Sequence, residues 1–323
     1  MSMRLLWVGV AVLFCSLMPA QVQQVDGSMT ITLVGTGGPE LTLDRAGEAT
    51  LVDADGQRLL FDAGRGVVDG LYRAQVLPQT VTRVFLTHLH SDHIAGLPDL
   101  WITPWFLLGR TAKLEVWGPV GTKAMVDGMR AMYAHDVEHR ANAVAKRENL
   151  DVVVHEIAPG RVYDVDGVSV TAFAVEHADG DPAFAYRVEA AGHAVFLTGD
   201  CTYDAALPKE AQGVDVLISN VVATTPETAE RWKPVLAKLM QPQQAARLFV
   251  EAKPRLAVYS HVVKKGLPGV AGDAALLLRT RGAGYAGPLR VGVDGMRIRV
   301  DGSIHVERVP LPASELDGPD AHF

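Results

Sequence analysis

Short apolar runs recur along this chain, separated by glycine, proline and aspartate. Thr30 to Val34 alternates and enters Gly35-Thr36-Gly37-Gly38-Pro39, the pattern of a strand running into a tight turn. Ala49–Val52 and Arg58–Asp62 flank Asp53-Ala54-Asp55-Gly56, which predicts a hairpin. Val67 to Val76 has helical spacing. Val84-Phe85-Leu86 reads as a buried strand, and beyond a polar loop an apolar segment runs to about Leu108. Leu114–Val116 predicts a strand, Gly118–Thr122 a turn, and Lys123–Lys146 a pair of helices with mixed charge. In the second half, Asp151–Ile157, Arg161–Val165 and Val168–Val175 predict strands, the last two joined at Asp166-Gly167. Ala183–Glu189 and Ala194–Leu197 form a further hairpin through Ala191-Gly192-His193. Val214–Ser219 is another buried strand, followed by helices over 226–240 and 242–252 and a strand at Leu256–Val258.

Strand clusters in both halves, with helices between, predict two packed β-sheets with helices outside. No Pro- or Gly-rich linker divides the chain, so residues 28–310 are taken as one domain and 311–323 as a tail. The first residues fall outside that unit. Arg4 precedes an apolar run from Leu5 to Met18, then Pro19-Ala20 and a polar stretch. The run is shorter than the roughly 18–20 residues of a membrane span and has the length of a signal-peptide core. Residues 1–20 are therefore expected to be a signal peptide, with export to the periplasm or outside the cell and no stable membrane anchor. Its removal leaves Cys201 as the one cysteine, so neither an intrachain disulfide nor a thiolate cluster is available.

The 323 residues are 48% hydrophobic and 21% charged, enough for a sizeable core. The formal charge of −7 argues against a broad electrostatic grip on nucleic acid. A homodimer is compatible with this composition.

The candidate chemistry lies just after the strand at Val84–Leu86, in Thr87-His88-Leu89-His90-Ser91-Asp92-His93. Three imidazoles and a carboxylate sit where a strand gives way to a helix. His88 and His90, two apart, can point the same way, while Asp92 and His93 reach an adjacent position, giving half-sites for two metals. THLHSDHIAGL resembles the HxHxDH signature of the metallo-β-lactamase superfamily. The opening GTGGPELTLDRAGEATLV with LLFDAG, and the closing YAGPLRVGVDGMRIRVDGSI, resemble its ribonuclease Z and arylsulfatase-like branch. The resemblance implies an αββα sandwich, two mixed sheets flanked by helices. It also implies a metal-dependent hydrolase.

The remaining ligands are sought at strand ends, far apart in sequence. His177, Asp200 in FLTGD and His261 in LAVYSH meet that test and resemble the family's later motifs. The resemblance assigns His88, His90 and His177 to one divalent ion and Asp92, His93 and His261 to a second. Asp200 is shared, and Asp92 and Asp200 are the catalytic carboxylates. Imidazole and carboxylate donors suit zinc, with iron and manganese open. By the same resemblance Asp62 supports the metal loop without binding metal; capping a turn is the alternative. Cys201 is not expected to coordinate, because strand neighbours point oppositely. His135 and His139 share a helical face but are taken as solvated. His155, His193, His305 and His322 are taken as surface histidines.

Two such cations could share a water and bring its pKa toward about 7, which means hydrolysis by a metal-activated hydroxide. Three features weigh against transfer-RNA processing. The flexible arm that ribonuclease Z uses is missing, Ser219-Asn220 stands where that enzyme has a His-Glu pair, and residues 1–20 point to export. Lys264 and Lys265 could steer an anion or form a solvated turn. The expected function is therefore an exported hydrolase of small anionic esters, phosphodiester or aryl sulfate, with no nucleic acid as partner. A ribonuclease Z-like phosphodiesterase acting on RNA, a lactonase or β-lactamase, and a non-enzymatic metal-binding scaffold are the alternatives.

Overall fold

The computed structural model describes residues 27–309. The expected signal segment and C-terminal tail lie outside the described residues. Along the chain come β1 (Met29–Gly35), β2 (Ala49–Ala54), β3 (Gln57–Phe61), α1 (Val67–Arg73), β4 (Arg83–Phe85), α2 (Ser91–Ile94) and α3 (Leu97–Phe106). Next are β5 (Leu114–Gly118), α4 (Thr122–Met132), α5 (Ala134–Arg140), β6 (Val152–Glu156), β7 (Gly160–Val165) and β8 (Val168–Val175). β9 (Ala183–Ala190), β10 (His193–Leu197), α6 (Leu207–Glu210), β11 (Val216–Thr224), α7 (Lys233–Leu236) and α8 (Pro242–Ala252) follow. The last elements are β12 (Leu256–Lys265), α9 (Gly269–Gly282), β13 (Leu289–Val291), β14 (Met296–Val300) and β15 (Ile304–Arg308).

The strands form an eight-stranded sheet in the order β15-β14-β1-β2-β3-β4-β5-β6 and a seven-stranded sheet in the order β13-β12-β11-β10-β9-β8-β7. Both contain parallel and antiparallel pairs. Their apolar runs are continuous because the strands are covered on both faces. The twofold alternation shows which residue faces where. In β3, Leu59 and Phe61 enter the core between the sheets, while Leu60 packs outward. In β10, Val195 and Leu197 face the other sheet and Phe196 packs outward, in the same layer as Leu248 and Phe249 of α8. Phe61, Phe85 and Trp117 stack with centroids 5.1 and 4.6 Å apart, and Tyr186 of the second sheet lies 5.3 Å from Phe61.

Two regions differ from the sequence expectation. The helix expected over 226–240 is a single 3₁₀ turn at Pro226–Thr228 and the four-residue α7, because Pro234 inside that span has no N–H to continue the helical bonding. The last strand does not stop near Val258. β12 continues to Lys265, so Lys264 and Lys265 are strand residues rather than a loop, and they pair with Asp273 and Glu40.

Candidate metal centre

Each expected ligand stands at the same end of the two sheets. His88 to His93 form the loop after β4 and the start of α2, His177 follows β8, Asp200 follows β10, and His261 interrupts β12 with a left-handed backbone at φ 44°. One imidazole nitrogen of each histidine faces inward. His90 Nδ1 lies 3.0 Å from His88 Nε2 and 3.2 Å from His177 Nε2. Asp92 Oδ2 is 3.1 Å from His261 Nε2 and 3.7 Å from His93 Nε2. Asp200 Oδ2 is 3.2 Å from His261 Nε2, 3.5 Å from His93 Nε2 and 3.7 Å from His177 Nε2. A single oxygen thus touches both groups.

Among the described residues, three sets of donor atoms lie close enough to hold a cation: His88, His90, His177; His88, His93, Asp200; and Asp92, His93, His261. The first and third are the two expected half-sites, and the middle set joins them through Asp200. All are buried except His90, which opens to solvent. The donors fit a divalent metal. His93 Nε2 and Asp200 Oδ1 are buried with no hydrogen-bond partner, an arrangement that costs about 1–3 kcal/mol per group unless a cation satisfies it.

Most outward nitrogens are held too, the exception being His261 Nδ1, which is buried without a partner. His93 Nδ1 lies 2.7 Å from Asp62 Oδ2, His88 Nδ1 lies 3.0 Å from the Thr87 hydroxyl, and His177 Nδ1 lies 3.1 Å from the Lys238 carbonyl. His90 Nε2 lies 4.0 Å from Asp179, whose carboxylate binds Lys238 Nζ at 2.5 Å. Asp62 also accepts from the Thr87 N–H at 2.8 Å and the Thr87 hydroxyl at 2.9 Å, so one carboxylate meets both the start of this loop and the His93 ring. Gly180 is needed for close approach, since a Cβ there would stand 2.1 Å from the His177 ring.

The electrostatics follow from crowding. Burial, reinforced by His93, lowers the pKa of His88 well below the usual imidazole range. Burial also works against a charge on His93, but Asp62 and Asp200 together overcome it and hold that imidazole well above its usual value. Burial opposes ionisation of Asp200, yet His261 and His93 outweigh it and hold the carboxyl well below the usual carboxylate range. Cys201 is different. Burial, aided by Asp200, pushes its thiol up to about 12, so it offers no thiolate. His135 and His139 stack on exposed α5, apart from any donor set.

Glu48, Asp179 and Asn220 take part without having been singled out as partners of the ligands. Asn220 donates from Nδ2 to the carbonyls of Gly199 at 2.8 Å and Cys201 at 3.1 Å, clamping the residues on either side of Asp200, and accepts from Met240 N–H at 2.8 Å. Only Asp179, in the turn Ala178-Asp179-Gly180 directly after His177, had a local signal.

Residues 57–262 match the model of the β-lactamase superfamily domain. The chain belongs to the metallo-β-lactamase superfamily. Like the superfamily's other hydrolases, it is a metal-dependent hydrolase, and its His and Asp groups suit metal binding. It is 34% identical over 279 residues to a Ribonuclease Z of Mycobacterium marinum, a match covering 84% of this chain and 98% of the relative. A Ribonuclease Z of Mycobacterium bovis is 33% identical over 281 residues, covering 84% and 98%. Among solved structures, the metallo-β-lactamase fold protein YhfI from Bacillus subtilis aligns with TM-score 0.65 at 19% identity, covering 84% of this chain and all of that one. The short form of human tRNase Z aligns with TM-score 0.62 at 22% identity, covering 87% and all of that chain. Both share this superfamily's two flanked mixed sheets.

These relatives overturn two expectations: an exported hydrolase of small anionic esters, and the absence of a nucleic acid partner. The reasoning failed for physical reasons. A net charge of −7 averages the whole chain and says nothing of one rim. Asn220 is committed to holding the Asp200 loop, so the lack of an acid there does not decide the substrate. The match spans 98% of the Mycobacterium marinum relative, so the missing arm of other ribonucleases carries no weight against the comparison.

Proposed function

We propose that this superfamily member is a ribonuclease Z-type phosphodiesterase that hydrolyses RNA. The observation carrying this reading is a two-lobed donor set joined by Asp200 Oδ2 in a chain one-third identical to enzymes of that name along nearly their whole length. His88, His90 and His177 would hold one divalent ion, Asp92, His93 and His261 a second, with Asp200 between them. The donor chemistry favours zinc. Bound there, such ions supply Lewis acidity and lower the pKa of a water toward about 7.

The chain's own residues set the geometry for that chemistry. Asp62 accepts from His93 Nδ1, so the inward-facing Nε2 is the nitrogen that would give up its proton to a bound cation. The Lys238 carbonyl does the same for His177. His90 marks the open side, flanked by Asp179 and Lys238. The segment from Thr225 to Met240, which ends beside His177, carries the Trp232 ring with Lys265 Nζ 4.1 Å and Arg231 5.2 Å from its centroid.

The test is to load the protein with zinc and offer end-labelled RNAs, a transfer-RNA precursor among them, with DNA of the same sequence and an aryl phosphodiester alongside. RNA cleavage that Asp200→Ala abolishes is expected. Turnover of the aryl ester with no RNA cut under any condition would sink the proposal.

A further inference from the structure

Glu48 is a buried carboxylate that belongs to neither donor set, yet it grips a ligand. It immediately precedes β2 in the first sheet. Its Oε2 accepts from the Ser260 hydroxyl at 2.6 Å and from the His261 backbone N–H at 2.9 Å, and Oε1 accepts from the Thr50 hydroxyl at 3.2 Å. These bonds suit an ionised carboxylate, against which burial pushes the pKa of Glu48 up to about 7.

His261 needs such a partner. β11 and β12 pair Ser219 with Tyr259 and Val221 with Val262, so Ser260 and His261 form a bulge that leaves the ladder. A buried N–H that leaves its ladder must find another acceptor. The same bulge puts His261 at φ 44°, a conformation that a non-glycine residue holds only where its surroundings impose it. Glu48 is also tied to the opposite half of the same site. Its own carbonyl accepts from Gly64 N–H at 2.9 Å, Ala63 N–H donates to the His93 carbonyl at 2.7 Å, and Asp62 holds His93 Nδ1. His93 and His261, with ring centroids 5.0 Å apart, are therefore spaced across the two sheets by one continuous chain of bonds through Glu48. Glu48, Asp200 and His261 also line a common cavity of about 20 Å³, the size of one water.

We propose that Glu48 is a positioning residue for the second metal half-site, fixing the His261 backbone so that Nε2 faces Asp92 and Asp200. This rests on the metal assignment given under the proposed function. The test is zinc binding by the full chain, with stoichiometry by mass spectrometry and affinities by chelator competition, on the wild type and on Glu48→Ala, Glu48→Asp and Glu48→Gln. Apo melting temperatures are measured alongside. Two zinc ions per wild-type chain are expected. Glu48→Ala should keep the first and bind the second about 10–100-fold more weakly, the usual effect of losing an outer partner of a ligand. Glu48→Asp, one methylene too short to reach the bulge, should behave likewise even if the alanine variant fails to fold. Glu48→Gln keeps an acceptor oxygen for Ser260 and His261 and should restore the second zinc to within about threefold, well above that loss. Second-zinc affinity unchanged in Glu48→Asp, or both ions weakened equally with a lower apo melting temperature, overturns the proposal while leaving the metal assignment standing. A wild type that binds no zinc removes the assignment and this inference together.

Discussion

Asp62 offers the sharpest separation of fold from chemistry. Its carboxylate is buried, sits on a backbone at φ 61°, and makes three bonds of 2.7 to 2.9 Å to His93 Nδ1, Thr87 N–H and the Thr87 hydroxyl. Asp62→Ala removes the acceptor of three buried donors, of which the Thr87 hydroxyl keeps His88 Nδ1 as a neighbour; stranding the other two at about 1–3 kcal/mol each, with strain at a left-handed residue, a loss of about 3–5 kcal/mol is expected. At roughly 2–4 °C per kcal/mol, the melting temperature should fall by about 6–20 °C. Asp62→Asn is more informative. Asparagine tolerates the left-handed region and its carbonyl can still accept from Thr87 N–H. Its amide, however, turns a donor toward His93 Nδ1. His93 then has to accept there and carry its proton on Nε2, the nitrogen facing Asp92 and Asp200. We expect Asp62→Asn to lose about 1–2 kcal/mol of stability, the worth of one charged hydrogen bond. Its second zinc should bind about 10–100-fold more weakly. Chelator competition on apo protein, with thermal unfolding of the same samples, reads both numbers. Wild-type zinc affinity in Asp62→Asn would refute the tautomer argument.

Three further outcomes follow from the same geometry. Asn220→Ala leaves Met240 N–H and the Gly199 and Cys201 carbonyls without their partner, and should cost about 2–4 kcal/mol in denaturant unfolding; a change below about 0.5 kcal/mol would mean the Asp200 loop holds itself. Burial opposes the charge of Asp215, but the Ala194 N–H and Arg255 prevail and depress its pKa. Its stabilisation is therefore full above the unfolded value near 3.9 and lost as pH falls toward the folded one. Asp215→Asn should lower stability by about 1–2 kcal/mol at pH 7 and by progressively less as the pH falls below the unfolded value, and a deficit that stays constant with pH would contradict this. Removing metal with a chelator should lower the melting temperature, because the donors come from both sheets; free zinc at about 1,000 times its Kd contributes about 4 kcal/mol, and identical apo and loaded curves would refute binding to the native state.

The donors that share one loop were legible because four residues in six positions can be read without knowing the fold. His177 and Asp200 were legible as strand ends, which the alternation of apolar runs locates to within a residue or two, and His261 was found by the same rule although it lies inside β12. What supports them was not. Glu48 reaches His261 across 213 positions, and Asn220 reaches Gly199 across 21 through a strand pairing that no local pattern announces. The helix expected over 226–240 failed because the apolar spacing was weighed above Pro234. Lys264 and Lys265 were taken out of β12 because a ligand was assumed to end its strand. The bulge at His261 instead lets the strand continue.

The construction of the site also explains how one metal chemistry can serve different substrates in this superfamily. The metal loop is pinned to the opposite sheet by two bonds that avoid every ligand side chain: Phe184 N–H to the Thr87 carbonyl at 2.9 Å, and the Tyr186 hydroxyl to the Leu86 carbonyl at 2.7 Å. Tyr186 in turn packs on Phe61 and Phe85, so the spacing of the two half-sites is set by how the sheets seat on their shared aromatic core. Packed cores resist small displacements, so that spacing is stiff. The open side is built differently. Asp179 and Lys238 stand on short turns beside His90, outside the sheets, where side chains can change without moving a donor atom. The spacing of the donor atoms is thus controlled from below, while the rim can vary without moving them, so the donor residues alone pointed to hydrolysis and could not separate a small ester from RNA.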